Sequence, residues 1–226
     1  MNKHLVNNKE RALKDVSELL DRYSGTKRGH LLSSWLSEYC QFIKREENFK
    51  PQFLKRYKRG EIIKVNLGYK IGCEEGGPHY AIVLDKQNSI HANTVLVLPL
   101  SSKKETTKFN KYNLDLGNEI YEKLQQKYIT KFQSCFIIEN APLKLSDDQE
   151  NFVARVKIDS SQADIVQAEI DSMKKGSIAL ISQITTVSKI RIIKPLKGTD
   201  ALSNICVSND TLDKIDTKIK KLYIGK

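Results

Sequence analysis

Cysteine is scarce and scattered in this chain of 226 residues: Cys40, Cys73, Cys135 and Cys206 form no C-x-x-C pair. The spacing indicates neither a zinc site nor a disulfide framework, and the expectation is reduced, mostly buried thiols. Long apolar runs are missing as well. None approaches the roughly 20 residues that span a bilayer, and the polar start MNKHLVNNKERALKD lacks the apolar core of a signal peptide. The expected location is the cytoplasm, with no membrane contact. Internal repeats and low-complexity tracts are absent, so no repeat architecture is indicated.

Acidic residues are the minority, with 27 Asp and Glu against 38 Lys and Arg, a formal net charge of +11. An excess of this sign favours a polyanionic partner; spread evenly, it is only the surface of a basic globular protein. Position therefore matters more than the sum. Basic clusters stand at Lys55, Arg56, Lys58 and Arg59, at Lys103, Lys104 and Lys108, and at Lys189, Arg191 and Lys194. Converging in space, they would form a phosphate track.

Apolar periodicity divides the chain. Leu5, Ala12, Leu13, Val16, Leu19, Leu20 and Tyr23 recur at helical spacing over 4–23, and Leu32, Trp35, Leu36, Tyr39, Phe42 and Ile43 repeat the pattern until Pro51. The reading is a helical hairpin, an N-terminal extension over 1–58 that packs on the main domain or on a second copy of itself. From Arg59 onward, strands are expected at 61–67, 80–84 and 95–100, broken by glycine-rich and polar connections, which suggests a small barrel. A helix over 118–128, strands over 134–139 and 152–158, and a helix over 161–173 follow. Strands over 177–182 and 189–194 and a capping helix over 210–223 complete an α+β domain, 59–226, with a helical insertion within about 105–175. Residues 85–93 and 103–117 are expected to be loops.

The stretch GCEEGGPHYAIVL (72–84) is the place to look for chemistry. Its glycines and proline force a tight turn in which a ligand backbone can approach closely. His79 stands at the exit. Histidine titrates near neutrality, so it takes or gives a proton at cellular pH, although in an ordinary turn it is as readily a structural residue bonded to backbone.

Read together, RGEIIKVNLGYKIG (59–72), GCEEGGPHYAIVL, TVLVLPLSSKK (94–104) and ISQITTVSKIRI (181–192) resemble the MazF/PemK family of toxin endoribonucleases in both order and spacing. The resemblance covers 59–104 and 176–222. It implies a small SH3-like barrel with a C-terminal helix, and a homodimer. It further implies cleavage of single-stranded RNA, mRNA included, without cofactor or metal, leaving a cyclic phosphate and a 5′-hydroxyl. It also implies a cognate antitoxin protein that covers the basic cleft, and DNA binding by the toxin–antitoxin complex.

The resemblance carries over residue by residue. His79 stands where the family has an arginine after the glycine turn, and Ser101 where a threonine ends the third strand. Metal-free RNA cleavage needs a group to take the 2′-hydroxyl proton and donors for the charge growing on the phosphate. His79 can serve as that base or as the acid that gives the leaving oxygen its proton, and Ser101, with Ser102 and Lys103, supplies the donors; otherwise Ser101 is a strand-end turn residue. Arg59, Gly76 and Gly77 belong to the matching motifs. Glu74 and Glu75 orient His79, bond a base edge, or are simply solvated. Gln183 and Thr186 match the late motif, while Thr185 stands where the family has an arginine. Tyr80 replaces a common proline, its ring stacking on a splayed base or packing in the sheet. Two other readings stay open: a toxin of the same fold that poisons gyrase by protein contact, and a non-catalytic RNA-binding module.

Overall fold

The computed structural model describes residues 3–146 and 149–225, with side chains over 8–135 and 159–225. It resolves into two compact units, one made of the chain up to Phe49 together with Leu67–Gly77, the other of Lys50–Asn66 and Pro78 onward.

The first unit carries helices α1 (Lys3–Arg22) and α2 (Lys27–Glu46), close to the two expected amphipathic segments. Thr26 caps α2 by accepting the Gly29 amide on its hydroxyl at 3.1 Å, which satisfies one of the helix's orphan donors. α2 ends before Pro51, where the chain makes a single tight turn at Pro51–Phe53. The apolar stripe of α1 remains exposed at Leu13, Val16 and Leu19. Within the same unit, Arg28 Nε donates to the Tyr69 hydroxyl at 2.9 Å, tying α2 to the glycine-rich loop.

That loop closes on itself. Leu67 N donates to Gly77 O and Gly77 N to Gly68 O, each at 2.8 Å. A Cβ on Gly76 would lie 2.7 Å from the Gly68 carbonyl, and Gly77 holds φ at +80°. The glycines are required because the loop's own two limbs approach this closely.

The second unit is built on an antiparallel sheet. Its strands are β1 (Ile62–Asn66), β2 (Pro78–Val83), β3 (Thr94–Ser102), β4 (Asn113–Gly117), β7 (Ser177–Leu180), β8 (Thr185–Ser188) and β9 (Ile192–Lys194), in the order β4-β7-β3-β2-β1-β9, with β8 also on β3. β5 (Phe136–Ser146) and β6 (Gln149–Ile158) form a separate two-stranded ladder. β3 organises the whole. One edge pairs with β2; the other pairs with β8 over Thr94–Val97 and with β7 over Leu100–Ser102. Helices α3 (Glu119–Gln133), α4 (Ser161–Ser172) and α5 (Asn209–Ile219) supply the other faces of the core. Ile62, Ile82, Leu98 and Leu100 from the sheet meet Ile120, Leu124, Val166, Ile170 and Ile215 from the helices. β1 and the centre of β3 are almost continuously apolar because both faces are covered.

The architecture is thus mixed, with an antiparallel sheet and packed helices, and several expectations need correction. The sheet is not a closed barrel: among the described residues no ladder joins the outer strands β4 and β9. β4 lies inside the expected loop 103–117. Its sequence NLDLG alternates polar and apolar residues, a strand signal that the loop expectation passed over, and pairing with β7 and the ion pair of Asp115 with Lys103 at 2.6 Å hold it in place. The polar run Thr185–Ser188 is also a strand, formed by pairing with β3. Conversely, the strand expected over 189–194 begins only at Ile192. Lys189 turns inward in a tight turn, 2% exposed, and its Nζ donates to the Ser89 carbonyl at 2.8 Å. The thiols are not mostly buried: Cys40 and Cys73 are exposed, Cys206 is intermediate and Cys135 alone is buried. Among the described residues no helix is long and apolar enough to cross a membrane.

Candidate active site

Where the start of β2 runs beside the end of β3, a cleft of about 340 Å³ opens, lined by His79, Tyr80, Ser101 and Ser102 together with Lys64, Lys104 and Lys174. The antiparallel register sets this meeting. Ala81 is paired with Pro99, so the residues just before it on β2 and just after Pro99 on β3 come to the same edge of the sheet. α4 and the turn after it supply the opposite wall through Ser172, Met173 and Lys174.

His79 is half-buried and its Nδ1 lies 3.0 Å from the Leu100 carbonyl. A carbonyl oxygen only accepts, so Nδ1 carries the proton; in the neutral ring Nε2 is then the basic nitrogen. The bond fixes the ring to the residue before Ser101. Tyr80 donates its hydroxyl to Glu169 Oε1 at 2.6 Å, and burial followed by that bond pushes its phenol well above the ordinary tyrosine range.

The cleft's cations are mostly not those singled out in the sequence. Lys104 belongs to a named cluster, but Lys64 and Lys174 do not. A signal for Lys64 was present, since a charge stands at the centre of IIKVN in an otherwise apolar strand. None of the three has a carboxylate within ion-pair distance among the described residues. The expected phosphate track does not assemble from the clusters, because their members are largely occupied. Lys55 is paired with Glu61, Arg59 with Asp216, Lys103 with Asp115 and Lys194 with Glu169, while Arg191 Nε donates to the Asn66 carbonyl.

Of the remaining expected site residues, Arg59, Lys103, Gln183 and Thr186 lie elsewhere. Arg59 lines a different cavity, where its guanidinium is bonded to the Leu84 carbonyl and to Asp216 on α5. Glu74, Glu75, Gly76 and Gly77 belong to the loop of the helical unit, in which Glu74 faces Lys70 at 3.9 Å. Lys103 does not line the cleft; its ammonium sits between Asp115 and the ring of Phe109. Gln183 follows β7 in a tight turn, and Thr186 is opposite Leu96, at the other end of β3 from Ser101. Neither lines the cleft.

Comparison with known proteins bears on the same region. Residues 58–134, which include His79, Tyr80 and Ser101, match the family model described as the PemK-like, MazF-like toxin of type II toxin–antitoxin systems. Among solved structures, the crystal structure of MazF (Form-I) from Deinococcus radiodurans is similar at 13% identity and a TM-score of 0.36, over 76% of this chain and 99% of that one. No curated protein matches the chain. Residues 58–134 are thus similar to the PemK-like, MazF-like toxin of type II toxin–antitoxin systems.

Proposed function

We propose that this protein is a toxin, a metal-independent endoribonuclease that cleaves single-stranded RNA, with His79 and Ser101 as its catalytic residues. The observation that carries the reading is the bond from His79 Nδ1 to the carbonyl of Leu100, which holds the imidazole beside Ser101 in a cleft ringed by three lysines. Nε2 takes the 2′-hydroxyl proton, and the 2′ oxygen attacks the adjacent phosphorus. Ser101 and Ser102 donate to the non-bridging oxygens while Lys64, Lys104 and Lys174 balance the charge that grows there. The bond to the 5′ oxygen breaks and that oxygen takes up a proton, leaving a cyclic phosphate and a 5′-hydroxyl.

The same reading makes residues 1–58 an extension to a catalytic domain over 59–226, its sheet an opened variant of an SH3-like barrel, and the active species a cytoplasmic homodimer. A cognate antitoxin with acidic residues would bind the uncompensated lysines and close the cleft, and the complex would bind DNA. The test is incubation of purified protein with single-stranded RNA in excess chelator. Products with cyclic phosphate and 5′-hydroxyl ends are expected; RNA left intact across the pH range would reject the enzyme.

A further inference from the structure

Three adjacent strands set Lys194, Lys64 and Tyr80 in one row, for Lys64 is the register partner of Lys194 on β9 and of Tyr80 on β2. Two neighbouring ammonium groups repel, and each is held differently. Lys194 Nζ lies 2.8 Å from Glu169 Oε2, a carboxylate on α4 that is 1% exposed. Its other oxygen accepts the Tyr80 hydroxyl, so one buried acid neutralises Lys194 and pins the phenol. Lys64 Nζ in turn sits 5.2 Å from the centroid of the Tyr80 ring. A carboxylate would cancel that ammonium's charge. An aromatic face attracts it through the ring's quadrupole and leaves the charge available, and a hydroxyl that donates to an anion makes the ring richer in electrons. The four groups together present one uncompensated cation to the cleft that Lys64 and Tyr80 line.

We propose that Lys64 binds a backbone phosphate of single-stranded RNA in this cleft, and that Tyr80 and Glu169 are positioning residues that hold its ammonium there. The proposal rests on the ribonuclease reading for its ligand. It goes beyond the matched segment for its mechanism, since Glu169 lies outside 58–134. The raised pKa of the Tyr80 phenol, caused first by burial and then by its bond to Glu169, keeps it a donor throughout the working pH range.

The test uses a single-stranded oligonucleotide with 2′-O-methyl groups, which lacks the nucleophile and so reports binding alone. Its affinity for the full-length protein is measured against salt concentration. Lys64→Met is expected to weaken binding roughly tenfold at low salt and to reduce the salt slope by about 0.7, one phosphate's worth for a single strand. Lys64→Arg is expected to restore the slope. Tyr80→Phe, which keeps the ring but breaks the bond to Glu169, should weaken binding by a few-fold, and should add nothing when Lys64 is already Met. An unchanged slope in Lys64→Met with wild-type binding intact overturns the phosphate role and leaves the ribonuclease reading standing. Additive losses in the double variant overturn the positioning role of Tyr80. Wild-type protein that fails to bind the oligonucleotide overturns both readings, whereas Lys64-dependent binding without cleavage of ordinary RNA supports this inference and removes only the catalytic step.

Discussion

The cavity at Arg59 encloses about 470 Å³ and the cleft at His79 about 340 Å³, so by size the first is the better candidate site. Their linings point the other way. Around Arg59 the walls are mostly apolar, formed by Leu84, Leu96, Ile184, Ile219, Tyr223 and Ile224; Lys86 and Lys220 also line the cavity, but no histidine or serine stands beside them, and the guanidinium is spent on Asp216 and a carbonyl. Around His79 the walls carry serine hydroxyls and lysines whose ammonium groups meet no carboxylate among the described residues. A polyanion is recognised by charge that the fold has not already neutralised, and in the smaller hollow that charge stands beside an imidazole and serine hydroxyls.

The largest expected effect tests the cleft directly. His79→Ala should lower RNA cleavage by at least about 100-fold if the imidazole transfers the proton, and Ser101→Ala by roughly tenfold through loss of one phosphate donor. Initial rates on labelled RNA, beside unfolding curves, check both; near-native turnover in His79→Ala would take the imidazole out of the mechanism. Arg59→Ala should behave in the opposite way. It should cost about 1 kcal/mol of stability in a denaturant titration, since the pair is partly exposed, and leave cleavage within a few-fold. A loss of activity as large as that of Ser101→Ala would return Arg59 to the site.

A smaller effect concerns another charge committed to the fold. Glu119, in the first turn of α3, accepts from the Ser208 amide, from the Thr211 hydroxyl at 2.7 Å and from Lys123 at 3.3 Å, tying α3 to the start of α5. Burial pushes this carboxyl up, but the bonds from Thr211, Ser208 and Lys123 outweigh it and hold it below its ordinary value. A depressed carboxylate contributes stability above its unfolded pKa, near about 4.3, and loses it as pH falls through the folded value. Glu119→Gln should therefore be less stable than wild type by up to about 1 kcal/mol at neutral pH, with the gap closing in acid. Urea midpoints across the acid range measure it; a gap that does not depend on pH would contradict the assignment.

Much of the path to the cleft was legible. The glycine turn, the apolar run after it and the hydroxyl pair ending VLVLPLSS pointed to His79 and Ser101, and the structure brings those two to one cleft. Lys64, Lys174 and Glu169 were not singled out. Lys174 looks like an ordinary surface lysine in one dimension and Glu169 like an ordinary charge on a helix, while Lys64 is marked only by its place at the centre of IIKVN. The buried acid is recognisable only once α4 is packed on the sheet, with Tyr80 and Lys194 as its partners. β8 escaped for a related reason, since a short polar run forms a strand when a neighbour offers its edge, whereas the alternation in β4 was a local signal passed over.

By itself the sequence determined the local matters: two amphipathic helices, the apolar strands β1 to β3, and a tight loop that only glycine can close. Periodicity and backbone sterics act within a few residues, so they can be read in order along the chain. Which cations remain available, which acid goes under the sheet and whether the sheet closes were decided by tertiary structure alone. Those outcomes depend on register and burial between residues far apart in sequence, where an ion pair such as Lys194 with Glu169 cancels a charge that composition had counted.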